Sequence, residues 1–235
     1  NYIWDKNGFL VPRGTGNGQQ ANNYQDNYRG FFRDAMQSLN NVSVSGGSEK
    51  ATYFFSTSFL TNEGIVPNEE YGRKTFSLAS TLQADENLKI SSTFNYIRSD
   101  YQRIQQGSNT SGLLLGLYRT PITFDNANGF SPEDAVDERS AYQFANGGQR
   151  NYRGGGGYDN PYWIVNNVLR NETVNRVYGS FAADYSMNKW FNAAFNVGAD
   201  FTSDSRKQNY ERGSRTLSVG ASDRTEYTTF QSDAV

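Results

Sequence analysis

Between residues 191 and 201 an apolar side chain stands at every odd position: Phe191, Ala193, Phe195, Val197, Ala199 and Phe201. The even positions hold Asn192, Asn196 and Asp200 or small residues. Side chains alternate between the two faces of a strand, so this period of two predicts a β-strand with one apolar and one polar face. Its length is the tighter constraint. Soluble sheets favour strands of ~5 to 6 residues, whereas a tilted strand that crosses a bilayer needs ~9 to 11.

The same signal recurs along the chain. A short strand opens at Asn41 and is followed by a turn at 46–49. The next strand sets Tyr53, Phe55 and Phe59 on one face, with Phe54, Ser56 and Ser58 on the other. A third alternates Phe76, Leu78 and Leu82 with Thr75, Ser77, Thr81 and Gln83, and a fourth sets Leu88, Ile90, Phe94 and Tyr96 against Lys89, Ser91, Thr93 and Asn95. A fifth carries Val177, Phe181, Ala183 and Tyr185 on its apolar side. The connections alternate too. Tight turns at 46–49, 85–87 and 186–189 take turns with long segments at 61–73, 100–171 and 202–215. Short turns at one end and long loops at the other are the asymmetry of outer-membrane barrels, in which aromatic residues near strand ends (Tyr53, Phe59, Tyr96, Tyr185, Trp190) form interfacial girdles.

The expected fold is therefore all-β: a transmembrane antiparallel β-barrel, present in part, with about seven strands. Its divisions are 1–40, a loop and short helix leading into the barrel; 41–99, strands one to four; 100–171, a long extracellular loop with short helices; and 172–235, strands five to seven. The short helix is read over 28–39 from the spacing of Phe31, Phe32, Ala35, Met36 and Leu39. Gly14, Gly16 and Gly18 read as a flexible turn. Leu217 and Val219 suggest a strand or a loop ribbon, and 224–235 a seventh strand. Strands with no closing partner leave edges that lipid cannot satisfy, which predicts a portion of a larger barrel.

Composition narrows function. The chain has no cysteine and no histidine, so thiol chemistry, thiolate metal sites and the commonest general base are all missing. Net charge is -2 without long blocks of either sign, which gives no electrostatic footprint for nucleic acid. Mean hydropathy is low at -0.76, yet 15% of residues are aromatic, a pairing that suits one-faced sheets and not disorder. No enzyme and no cofactor is expected.

A connection as long as 100–171 is usually functional. Residues 112–121 read as a helix ended by Pro121, and 160–167 as another with Pro161 in its first turn. The acidic cluster Glu133, Asp134, Asp137 and Glu138 reads as a solvated helix start after Ser131 and Pro132. The segment 125–129 resembles a calcium loop only faintly, because Ala127 occupies a ligand position. Gly154 to Gly157 read as a linker. Tyr118, Tyr142, Tyr152, Tyr158, Tyr162 and Trp163 are the candidate substrate or partner contacts, since amphipathic rings suit sugars and peptides. A secreted carbohydrate-binding β-protein that uses these aromatics is the alternative reading.

Six stretches resemble a known family. The run Val42-Ser43-Val44-Ser45-Gly46-Gly47-Ser48-Glu49-Lys50, then Tyr53-Phe54-Phe55-Ser56 and Asn62-Glu63-Gly64-Ile65-Val66, is similar to the barrel start of SusC/RagA-type TonB-dependent transporters of Bacteroidetes. Leu117-Tyr118-Arg119-Thr120-Pro121, Asp159-Asn160-Pro161-Tyr162-Trp163 and Asn175-Arg176-Val177-Tyr178-Gly179 resemble later landmarks in the expected order. The resemblance implies a 22-stranded barrel in the bacterial outer membrane and nutrient import, of oligosaccharide or peptide, driven through TonB. It further implies a plug carrying a TonB box and a SusD-like surface lipoprotein as partner, with outer-membrane lipid around the wall. This sequence contains no matching plug or TonB box, so no coupling or substrate residues carry over.

Overall fold

A computed structural model describes residues 2–5, 9–16, 26–105, 107–153 and 157–235. Two short strands, β1 (Tyr2–Trp4) and β2 (Leu10–Pro12), pair with each other, a hairpin that the sequence reading left as loop. Seven further strands form one antiparallel sheet in simple sequence order: β3 (Gln37–Gly47), β4 (Ala51–Glu63), β5 (Glu70–Gln83), β6 (Leu88–Ile104), β7 (Leu169–Asn188), β8 (Phe191–Tyr210) and β9 (Ala221–Ala234). Helices α1 (Leu113–Arg119), α2 (Pro132–Asp137), α3 (Arg139–Tyr142) and α4 (Pro161–Asn167) all lie between β6 and β7. No helix among the described residues is long and apolar enough to cross a membrane.

The helix expected over 28–39 is absent. A single 3-10 turn, Arg29–Phe31, buries Phe31, and from Gln37 the chain is already strand, paired Gln37 to Asn62. Thirteen residues of β4 offer a ladder of backbone partners, and that tertiary pairing overrides a weak helical spacing already broken by Gly30. Likewise Gly46 and Gly47 are the last strand residues and not the turn. Gly46 is paired with Tyr53, whose ring lies across it where a side chain would stand. Of the predicted glycine turn, Gly18 lies outside the described residues, as do residues 154–156 of the predicted linker.

The strands also outrun the ~9 to 11 residues that a crossing strand needs, reaching 20 in β7 and in β8. The long connections shrink accordingly to 64–69, 105–168 and 211–220. The alternation of short and long connections survives, with the tight turns now at 48–50, 84–87 and 189–190.

Register fixes which side chains share a face. One cross-strand row joins Val42, Thr57, Phe76, Tyr96, Val177, Phe201 and Phe230. Below it, toward the tight turns, the same face carries Val44, Phe55, Leu78, Phe94 and Ala199, then Leu82, Ile90, Ala183 and Phe195. The next row toward the loops reads Phe59, Lys74, Arg98, Asn175, Ser203 and Thr228. The apolar face thus ends between two adjacent rows. Ser80 and Ser92, two hydroxyls within the apolar zone, hydrogen-bond each other at 2.8 Å, so neither presents an unmet polar group. The opposite face is mostly polar, with Phe54, Leu60, Ile97 and Val174 as apolar exceptions, Thr93 and Ser180 joined at 2.8 Å and Arg176 ion-paired to Asp200.

Candidate functional site

The segment 105–168 folds into a cap with its own core at the loop ends of the strands. Trp163, Ile164 and Val165 of α4, and Val168 just after it, are fully buried among Leu113, Leu117, Ala135, Ala141 and Phe31, and Ile104, Leu169 and Tyr210 pack against this cluster. The stretch Asp159-Asn160-Pro161-Tyr162-Trp163 is the organising element of the cap. Asn160 caps α4 by accepting from the Tyr162 N–H at 2.8 Å, and Pro161 stands at the first helical position, where its missing N–H costs nothing. The Asn160 amide also donates to the carbonyls of Asn126 and Arg150 at 3.0 and 2.8 Å.

Asp159 accepts from the Ser111 hydroxyl, from Gln149 Nε2 at 2.6 Å and from the Arg215 N–H at 2.9 Å. Gln149 donates as well to the Gly213 carbonyl at 2.8 Å, and the Trp163 indole donates to Ser214 Oγ at 3.0 Å. This buried network ties α4 to the β8–β9 connection. From the other side Asn68, in the left-handed conformation at φ 62, donates to the Val165 carbonyl at 3.1 Å and joins the β4–β5 connection to α4. Burial pushes the Arg150 guanidinium down, to about 10, while Asp125 opposes the shift, so it stays charged at neutral pH. Its Nη1 donates to the Ala141 carbonyl at 2.7 Å. Desolvation raises the Tyr162 phenol, which stays neutral at the same pH.

The six aromatic candidates divide by burial. Tyr142, Tyr152, Tyr162 and Trp163 are buried, their rings engaged by Trp163, Tyr158, Phe31 and Tyr142 respectively. Tyr158 is half-buried, with Arg119 over its ring at 4.7 Å and Arg153 at 4.8 Å. Tyr118 alone of the six is widely open, at 69% exposure, and stacks on Tyr28 with centroids 4.6 Å apart. The structure does not gather the six into one surface. In the acidic cluster, Ser131 caps α2 by accepting from the Asp134 N–H at 3.1 Å, and Glu133 and Asp134 fall in the first turn, where carboxylates favour the helix. Asp125 accepts from the N–H groups of Ala127 and Gly129, closing its own loop.

A recess of about 650 Å³ opens at the loop ends of β4 to β8. Tyr71 and Tyr101 stack within it, with centroids 4.5 Å apart and planes at 21°, and Arg103 lies over Tyr101 at 4.5 Å. Arg170 and Gln208 complete its basic and polar side, and Glu69 and Glu70 stand on the β5 side. Sequence reading missed these residues because it closed the fourth strand near residue 99 and left Tyr101 and Arg103 in a loop. Continued by parity, the polar face of that strand runs Thr93, Asn95, Ile97, Ser99, Tyr101, Arg103.

No family model matches the chain, and no curated protein matches it by sequence. Solved structures match its fold. A structure of the RagAB peptide transporter superposes with a TM-score of 0.68 at 15% identity, over 91% of this chain and 23% of that chain. The RagAB peptide importer in its open-open state gives 0.69 at 16%, and in its closed-closed state 0.62 at 18%, with the same coverage. The chain therefore spans under a quarter of the length of each of these structures. The seven-stranded sheet with its cap has the fold of part of a β-barrel in a transporter structure of this kind.

Proposed function

We propose that this chain is wall and rim of an outer-membrane import barrel, with its apolar face on lipid and its polar face on the channel. The observation that carries the reading is the apolar face itself. It runs from the tight turns, past the mutually bonded Ser80 and Ser92, to the row of Phe76, Tyr96, Val177 and Phe201, ends there, and is covered by no second layer among the described residues. A water-soluble sheet buries such a face against helices or another sheet. The cap covers only the loop ends.

The imported nutrient is an oligosaccharide or a peptide. The likeness to peptide-transporter structures supports the peptide, and the polar channel face accepts either. Import is driven through TonB, acting on a plug elsewhere in the protein, and a SusD-like lipoprotein meets the cap. No covalent chemistry is involved. Burial of Tyr142, Tyr152, Tyr162 and Trp163 weakens the alternative of a secreted sugar-binding protein that stacks ligands on these rings.

Topology labelling tests the reading. Cysteines placed at Asn146 in the cap and at Ser205, on β8 above the apolar rows, are expected to react with a membrane-impermeant reagent on intact cells, and one at Asn87 in the β5–β6 turn is not. Reaction at Asn87 alone inverts the topology, and recovery of the protein wholly in a detergent-free soluble fraction sinks the barrel.

A further inference from the structure

Arg103 and Arg170 stand directly opposite each other across β6 and β7, a placement in which like charges repel. The nearest carboxylate is Glu172, 3.7 Å from Arg103 and 4.0 Å from Arg170, too far for hydrogen bonds to either. Glu172 is shared with a third guanidinium, Arg206, at 3.8 Å, and Arg206 is itself held by Asp204 at 2.6 Å. Three arginines thus surround one nearly buried glutamate. The two without a hydrogen-bonded carboxylate among the described residues present side chains 47% and 40% exposed, and both line the recess.

The Arg103 guanidinium carbon sits 4.5 Å from the Tyr101 ring centre, a cation–π contact that leaves its N–H donors for a ligand. The Tyr71–Tyr101 stack gives that ligand an amphipathic floor. Glu69 and Glu70 stand on the β5 side, one strand from Arg103 on β6 and two from Arg170 on β7, about 5 and 10 Å at ~4.8 Å per strand. They repel an anion from that end of the recess.

We infer that Arg103 and Arg170 form a carboxylate-binding subsite for a peptide lying over Tyr71 and Tyr101. The inference rests on the import reading above and names the feature of the cargo that this wall recognises. A peptide offers a carboxylate from two sources, its C-terminus or an acidic side chain, and a guanidinium pair grips both in the same way.

The test uses the full-length transporter purified in detergent, with calorimetric binding of three probes: pentaalanine as the free acid, its C-terminal amide, and the amide with glutamate at its centre. The amide is expected to bind at least ~10-fold more weakly than the free acid, the loss of a charge-assisted contact being worth a decade or more. Recovery by the glutamate-containing amide extends the subsite to side chains, and failure to recover restricts it to the C-terminus. The double substitution Arg103→Gln and Arg170→Gln should abolish the discrimination, while Arg73→Gln, outside the recess, should keep it. Equal binding of all three probes, binding of none, or discrimination intact in the double variant overturns the subsite. Surface labelling at Asn146 and Ser205 decides the import reading separately, so the two can fail independently.

Discussion

In the cap, Trp163, Ile164, Val165 and Phe124 have no exposed surface, while in the sheet Phe94, Phe195 and Phe230 stand 43%, 51% and 66% exposed. The cap buries its apolar residues against one another and uses a carboxylate with three donors to fix its polar centre. The sheet gathers almost no core of its own. It sorts side chains by face and turns the apolar set outward, stabilised only when a second apolar medium covers it. One chain is thus written for two solvents, and the boundary between the two codes lies within single strands.

Changes on either side of that boundary should therefore fail differently in the full-length protein. Trp163→Ala is expected to have the largest effect, costing ~3–5 kcal/mol of cap stability. Proteolysis within 105–168 should accelerate while the barrel keeps its heat-modifiable migration; loss of both together would make cap and sheet one cooperative unit. Phe94→Arg places a charge in the middle of the apolar rows and should cost ~2–4 kcal/mol, read as reduced insertion into lipid vesicles. Unchanged insertion would mean that this face does not meet lipid. Ser131→Ala removes one helix cap, worth ~1 kcal/mol, and should appear only as faster amide exchange in α2. A change in insertion from this substitution would join the two regions energetically.

The same contrast explains what could be read from sequence. Alternation over 75–84, 88–96 and 191–201 set the strands and their faces, because a period of two survives whether the apolar side meets protein or lipid. The helices at 113–119, 132–137 and 161–167 were visible through Gly112, Ser131, Asn160 and their prolines, which act over a few residues. Phe31 and Phe32 misled because helical spacing was followed where pairing with β4 decided the outcome. The aromatics of the cap looked like a ligand surface because composition does not distinguish a ring that stacks on a guest from one that fills a core. Arg103 and Arg170 were invisible as a pair: they are neighbours only through register, across a connection of more than sixty residues.

β8 continues for nine residues past Phe201 and β7 pairs with it almost to the end, a ribbon of about 30 Å at ~3.4 Å per residue beyond the last apolar row. Mechanically that ribbon is a lever. Rooted in the apolar rows and bonded to the cap through Asn167 and Glu211, it converts a tilt of a few degrees at its base into a displacement of ~2 Å at its tip. A force on the cap is likewise delivered as torque on the sheet, so on the import reading proposed above a partner that presses on the cap is felt at the apolar rows.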